Sequence, residues 1–525
     1  MPEPRKIDKL HLRGFYRWKI QFPFAIVVFL GLFILAVYLK HILGDWVNSE
    51  VGTAFYHTFQ DNQGVSVTWY FENYGDAEYY YESYLENFRY NRWNPYAPPL
   101  PFDSEDKLDF YLYGPFLVYG FAFISLFVEL FNPGTSLDFL IPASIKWTAI
   151  VFDALSVAMI YLIIIGLKTF KSKRAVAHLA GISGALAYIF MPMNLLYIDA
   201  SYLNIPQMTF FTLLALFLFL KEKYVFSSIV FSIAWLSKQM PLFSIIPLFF
   251  ILGKKTHFSF ALKRFLIPFI LSTFIFSIPW IFLNPFKYSI RIIGAGRSLW
   301  YATLAEEGNK HGVTLAHSLL YGNAEFLSRV YVYLNVAMIP FLIFYIYSIF
   351  IAHFNGKQIA ENETNFYVYN TWLIVLTHTF LSRGVYKYYD AFFNPFLVIS
   401  SILLINRLVN LIESNIGNEK NIRRKKVLHI LSKLIFPLIF ILSIAFIYSV
   451  NWGIMISSRF LHPVWLLLLF LFLSILLPTQ YYRELMMREN YKYFWRDIKL
   501  IFSMIWFRVK STIVMIWQKI SFRKE

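Results

Sequence analysis

Apolar runs long enough to cross a membrane recur along most of this chain, and no other feature limits its fold as strongly. The first covers 21–42. Others fall near 147–167, 175–197, 203–220, 224–239, 240–253, 265–282, 329–352, 367–382, 390–408, 429–450 and 461–478. A helix of about 20 apolar residues crosses the hydrocarbon, and inside it every backbone polar group must be satisfied within the segment. The runs therefore predict an all-α polytopic membrane protein, a bundle of about 12 transmembrane helices. Composition agrees: 58% of residues are hydrophobic and only 15% charged, where a soluble chain carries about a quarter.

Charge sets the expected orientation. Residues 1–20 carry Arg5, Lys6, Lys9, Arg13, Arg17 and Lys19 and read as a cytosolic basic N-terminus before a first span at 21–42. That run is too long for a secretory h-region and no small-residue cleavage site follows it. Between 43 and 110 lie twelve acidic residues, but only Arg89, Arg92 and Lys107 as bases. This is the mark of an outside loop, assigned to 43–146. The links holding Lys168 to Arg174, Lys221 and Lys223, Lys254 and Lys255, and Arg423 to Lys426 fall in the cytosol if 111–131 is an interfacial or re-entrant outer helix rather than a span. The bundle is expected over 147–478, with a second long outer segment at 283–328. Residues 479–525 read as a cytosolic, basic amphipathic tail on the inner leaflet. The net charge of +17 is thereby accounted for by membrane topology and membrane lipids, without nucleic acid as a partner.

Several chemistries drop out. No cysteine is present, which excludes disulfides, thiolate zinc sites and Cys nucleophiles. His57, His311, His317 and His378 have no metal-ligand spacing. No Walker A loop, dinucleotide fingerprint or nucleophile elbow occurs, so neither a metal nor an organic cofactor is expected. The sequon Asn362-Glu363-Thr364 falls in a cytosolic link and should be unmodified.

The remaining ionisable residues in or beside the runs gather toward the outer face. Asp76, with Glu72 and Glu78 close by, opens the acidic loop in GDAEYYY. A carboxylate there can act as a base toward a substrate at the membrane surface, or be one member of a solvated acidic loop. Asp153 and Asp199 lie near outer span ends. Lys238 sits in the WLSKQMP turn, and Arg383, Lys387 and Asp390 in LSRGVYKYYD. Bases on the outer face run against the positive-inside trend and suit an anionic headgroup-level ligand such as a lipid phosphate. Each can equally be a paired or snorkelling side chain.

Four stretches resemble the GT-C superfamily of polyprenyl-phosphate-sugar-dependent membrane glycosyltransferases, and within it the dolichyl-phosphate-glucose-dependent glucosyltransferases of N-glycan assembly and their archaeal relatives. They are GDAEYYY at 75–81, LYGPF at 112–116, PMNLLYIDASYLN at 192–204 and LSKQMPLFSIIPLFF at 236–250. Gly114 stands where that family often has proline, and the later half of the chain matches only in hydropathy. The resemblance implies Asp76 as general base, with Lys238, Arg383 and Lys387 on the donor phosphate. Glu78, Tyr113, Asp199 and Gln239 would line the substrate site.

The implied partners are a polyprenyl-phosphate-linked sugar donor and a lipid-linked oligosaccharide or glycoprotein acceptor. The expected location is a cell membrane if the source is archaeal, or the endoplasmic reticulum if eukaryotic, with both termini cytosolic. A transporter or flippase of polyprenyl-linked sugars is the alternative. It would be expected to show paired repeats and midplane charges.

Overall fold

The computed structural model describes residues 24–45, 57–60, 66–69, 81–90, 94–96, 113–167, 174–189, 191, 194, 198–199, 202–285, 288–289, 310–312, 361–381, 385–400, 402–403 and 406. Helices dominate. In chain order they are α1 (Phe24–Asp45), α2 (Glu82–Tyr90), α3 (Pro115–Phe131), α4 (Leu137–Gly166), α5 (Arg174–Ile189), α6 (Ile205–Leu220), α7 (Tyr224–Ser237), α8 (Leu242–Lys255), α9 (Phe258–Leu283) and α10 (Glu361–Phe380). Two short antiparallel ribbons accompany them. β1 (His57–Gln60) pairs with β2 (Ser66–Trp69), and β3 (Lys310–Gly312) with β4 (Val385–Tyr386). A 3₁₀ turn, Lys387–Phe392, follows β4 directly.

Among the described residues α1, α4 and α9 are long and apolar enough to cross a membrane. α3, α6 and α7 are apolar but shorter. The 30 residues of α4 span ~45 Å at 1.5 Å per residue, well beyond a ~30 Å hydrocarbon core. Its start corrects the expected run at 147–167: the helix begins at Leu137 and passes through Pro142. The segment expected to be interfacial forms α3. After the turn at 132–136, α4 folds back along it, so that Ile124 and Val128 meet Leu140, while Leu117, Val118 and Phe121 cluster with Ile141 and Ile145.

α4 is the central post. It packs on α3, α5 and α6, while α6 continues to α7, α7 to α9, and α8 to α10. Ile160, Ile163 and Ile164 of α4 are wholly buried in the main core with Leu213 of α6 and Phe231 of α7. α1 contributes Leu32 and Ala36 to this core and turns Val27, Ile34 and Tyr38 outward. α9 likewise exposes Ile270, Leu271, Phe274 and Ile275. Such a one-sided apolar surface suits lipid.

Hydroxyls in these apolar helices find partners locally. Thr209 donates to the Ile205 carbonyl at 2.9 Å and Thr212 to the Met208 carbonyl at 2.6 Å, so a buried polar side chain costs little. Others join helices: Ser232 of α7 and Ser272 of α9 lie 2.6 Å apart, oxygen to oxygen.

Replacing wholly buried Ile160 by Ala should destabilise the protein by ~2–5 kcal/mol through the cavity left behind. Ile34→Ala, on the outward face of α1, should cost far less. Unfolding in detergent micelles measures both, and equal losses would contradict this assignment of faces.

Candidate functional site

The turn between α7 and α8 brings together two of the sequence-predicted residues, Lys238 and Tyr113. α7 ends at Lys238, whose extended backbone (φ −160°, ψ 154°) breaks the helix, and Pro241 leads into α8. Lys238 is only 4% exposed. Its Nζ donates to Asn204 Oδ1 at 2.6 Å and lies 4.6 Å from the ring centre of Tyr389 and 5.6 Å from that of Tyr113. Aromatic faces and an amide carbonyl orient an ammonium without the full charge cancellation that a carboxylate brings.

Each neighbour is fixed in turn. Tyr96, from the Pro-rich stretch of the acidic loop, donates through its hydroxyl to the Tyr113 carbonyl at 2.9 Å. Gly114 lies against the end of α7: a Cβ there would come within 2.0 Å of the Leu236 carbonyl oxygen. Any residue with a Cβ, proline included, would push the two segments apart, which explains glycine at this position. Gln207, one turn into α6, donates through Nε2 to the Phe116 carbonyl. Tyr389 belongs to the 3₁₀ turn that begins at Lys387. β3–β4 pairing ties that turn to Lys310–Gly312. Beyond the turn, Asn394 donates to Asn194 at 2.6 Å, both side chains buried.

A second cluster lies in the same region. Lys40 of α1 forms ion pairs with Asp153 of α4 and, at 2.9 Å, with Asp199, and all three side chains have 0% exposure. Tyr188 of α5 donates to Asp153 Oδ1 at 2.7 Å. Gly44, one turn after Lys40, meets Asp199 so closely that a Cβ would sit 2.5 Å from its carbonyl oxygen. Farther out Lys146 pairs with Asp45 at 2.6 Å and lies 5.8 Å over the ring of Tyr202. Tyr202 adopts φ 52°, and burial, reinforced by Asp45 and Asp199, pushes its hydroxyl up to about 12. It is therefore a neutral donor at physiological pH.

Of the residues singled out from sequence, the structure brings Tyr113 and Lys238 together. It places half-buried Gln239 beside Lys238, and Lys387 at the head of the turn carrying Tyr389. Asp199 is turned away from this group toward Lys40 and Asp153. Asp76, Glu78 and Arg383, and the side chains of Lys387 and Asp390, lie outside the described residues. Sequence reasoning passed over Lys40, Asn204 and Tyr389. Lys40 carried a usable signal, being a lysine inside the first apolar run; Asn204 and Tyr389 lie within the quoted stretches PMNLLYIDASYLN and LSRGVYKYYD, but were not singled out there. Among the described residues no group of three or more potential metal ligands occurs. The chain matches no protein-family model and no curated protein.

Gly114→Ala should lower thermal stability more than Gly31→Ala, because a Cβ at Gly31 meets nothing within 4 Å. Melting curves of the two variants test this, and an unperturbed Gly114→Ala would remove the close approach of Tyr113 to α7.

Proposed function

We propose that this chain is a glycosyltransferase of GT-C type, moving a hexose from a polyprenyl phosphate to an acceptor hydroxyl on the extracytoplasmic face. One observation carries the reading. Three of the four stretches behind the GT-C resemblance, around Tyr113, Asn204 and Lys238, meet at one buried ammonium with the late turn that holds Tyr389. They are far apart in sequence, and an accidental likeness would give no reason for them to converge.

In this reading the bundle has about 12 spans, with the basic links cytosolic and the Lys238 end outside. The donor's phosphate rests against the Lys238 ammonium, and Lys387 and Arg383 are assigned to share the charge that grows as it leaves. The acceptor hydroxyl attacks the anomeric carbon from the face opposite the phosphate. As the new C–O bond forms, the bond to the phosphate oxygen breaks and its electron pair leaves with polyprenyl phosphate. Asp76 takes the hydroxyl proton. A single displacement inverts the anomeric centre and needs one carboxylate, since the phosphate leaves without protonation. Glu78, Tyr113 and Gln239 line the sugar side. The Asp199 carboxylate, paired with Lys40, supports the connection holding Asn204 and has no direct role on the substrate. The acceptor is a lipid-linked oligosaccharide. Transport of a polyprenyl-linked sugar is less well supported: Lys40 lies about one and a half turns before the end of α1 and Lys238 at the end of α7, where a transporter is expected to carry charges at midplane.

Purified protein given labelled polyprenyl-phosphate glucose and mannose should transfer one label to a lipid-linked acceptor. Asp76→Asn should cut transfer by ~10²–10⁴-fold, the usual worth of a general base, with donor binding retained. Lys238→Met should instead weaken donor binding. Undiminished transfer by Asp76→Asn would end this reading, and movement of intact donor across proteoliposomes without transfer would favour the transporter. Orientation is checked independently. Since there is no native cysteine, Ser136→Cys and Lys223→Cys can be labelled with an impermeant reagent, and only the first should react from outside.

A further inference from the structure

The Lys40 cluster carries an imbalance that the proposed reaction does not use. Two carboxylates, Asp153 and Asp199, face one ammonium, and all three side chains are fully buried. Among the described residues, the surrounding titratable groups leave the count unchanged. From α5, Tyr188 donates a neutral hydroxyl to Asp153 Oδ1. From the connection itself, Tyr202 is a neutral phenol. From the outer end of α1, Asp45 is matched by Lys146 of α4 at 2.6 Å, with His41 Nδ1 at 3.2 Å. One negative charge is left over. Asp199 also has a buried oxygen, Oδ1, that no hydrogen bond reaches. Charge in surroundings without water is costly, and a carboxylate there lowers the cost most readily by taking up a proton. A metal ion would need several oxygen ligands around it. Asp199 Oδ1 is one atom on a carboxylate whose other oxygen already binds the Lys40 ammonium.

We propose that the Lys40–Asp153–Asp199 cluster is a proton-binding site, holding one exchangeable proton on Asp199 and so remaining electrically neutral inside the bundle. The proton belongs to the coupled pair of carboxylates, and Asp199 is where it rests because that side chain has the oxygen without a partner. Asn has the size and neutrality of a protonated Asp, so Asp199→Asn mimics the loaded site and leaves Lys40 matched to Asp153 alone.

The test does not depend on sugar transfer. Infrared spectra of the purified protein at neutral pH should show the carbonyl stretch of a protonated, water-shielded carboxyl group that shifts in D₂O. The band should vanish in Asp199→Asn and persist in Asp45→Asn. Stability gives a second readout with a definite sign. The folded state holds a proton that the unfolded chain has released, so raising the pH must disfavour folding, approaching about tenfold in the folding constant per pH unit. Asp199→Asn should remove that component of the pH dependence. Absence of the band from the wild type, or its survival in Asp199→Asn, would overturn the proposal. So would sodium-dependent stabilisation at fixed pH that is lost in Asp199→Asn, which would assign the site to a metal cation. Should Asp199→Asn fail to fold, the wild-type spectrum and pH series decide the matter alone.

Discussion

The arrangement of this chain turns on the pairing of Lys40 with two buried carboxylates. Without water, an unmatched ammonium or carboxylate is far more costly than at a surface, and breaking a buried pair typically costs ~3–5 kcal/mol. Lys40 therefore has to sit where Asp153 and Asp199 can reach it. That requirement fixes the C-terminal end of α1 against α4 and against the connection between α5 and α6. Gly44 completes the contact by letting the α1 backbone touch Asp199. The acidic loop begins just beyond this anchored end.

The connection from α5 to α6 does more than link two helices. Asn194, Asp199 and Asn204 recur along it, and each is fastened to a different part of the molecule: Asn394 beyond the late 3₁₀ turn, Lys40 of α1, and Lys238 at the end of α7. Three side-chain contacts spread along this one segment fasten it to the rest of the molecule. They also couple regions far apart in the chain. A shift of this segment would move Asn204, and with it the oxygen that orients the Lys238 ammonium.

Much of the helical framework is legible from the apolar runs. The runs at 203–220, 224–239, 240–253 and 265–282 correspond to α6, α7, α8 and α9 within a few residues at most ends. α4 shows why the method falters at its start. Asp138, Pro142 and Lys146 interrupt the hydrophobic pattern, so the run is read from 147. The helix nevertheless begins at Leu137, because Lys146 has Asp45 as a partner and proline is accommodated within the helix. The site was legible by residue type and hidden by distance. Lys238 and Asp199 both stand out as ionisable residues near span ends. Which of them goes with which partner depends on contacts 34 and 159 residues away, and no local pattern encodes those.

The two buried lysines at this end of the molecule are held by chemically different surroundings, and the difference decides what each can do. Lys40 is embraced by carboxylates, so its field is cancelled at short range and it serves to join helices. The contacts described for Lys238 are an amide oxygen at 2.6 Å and two aromatic faces. A ring quadrupole attracts a cation through partial charges alone, so the two rings help to fix the position of the ammonium. The sequence singles out Lys238 by its place in a turn and passes over Lys40; the contacts described for Lys40 are carboxylates, and those for Lys238 an amide oxygen and two aromatic rings.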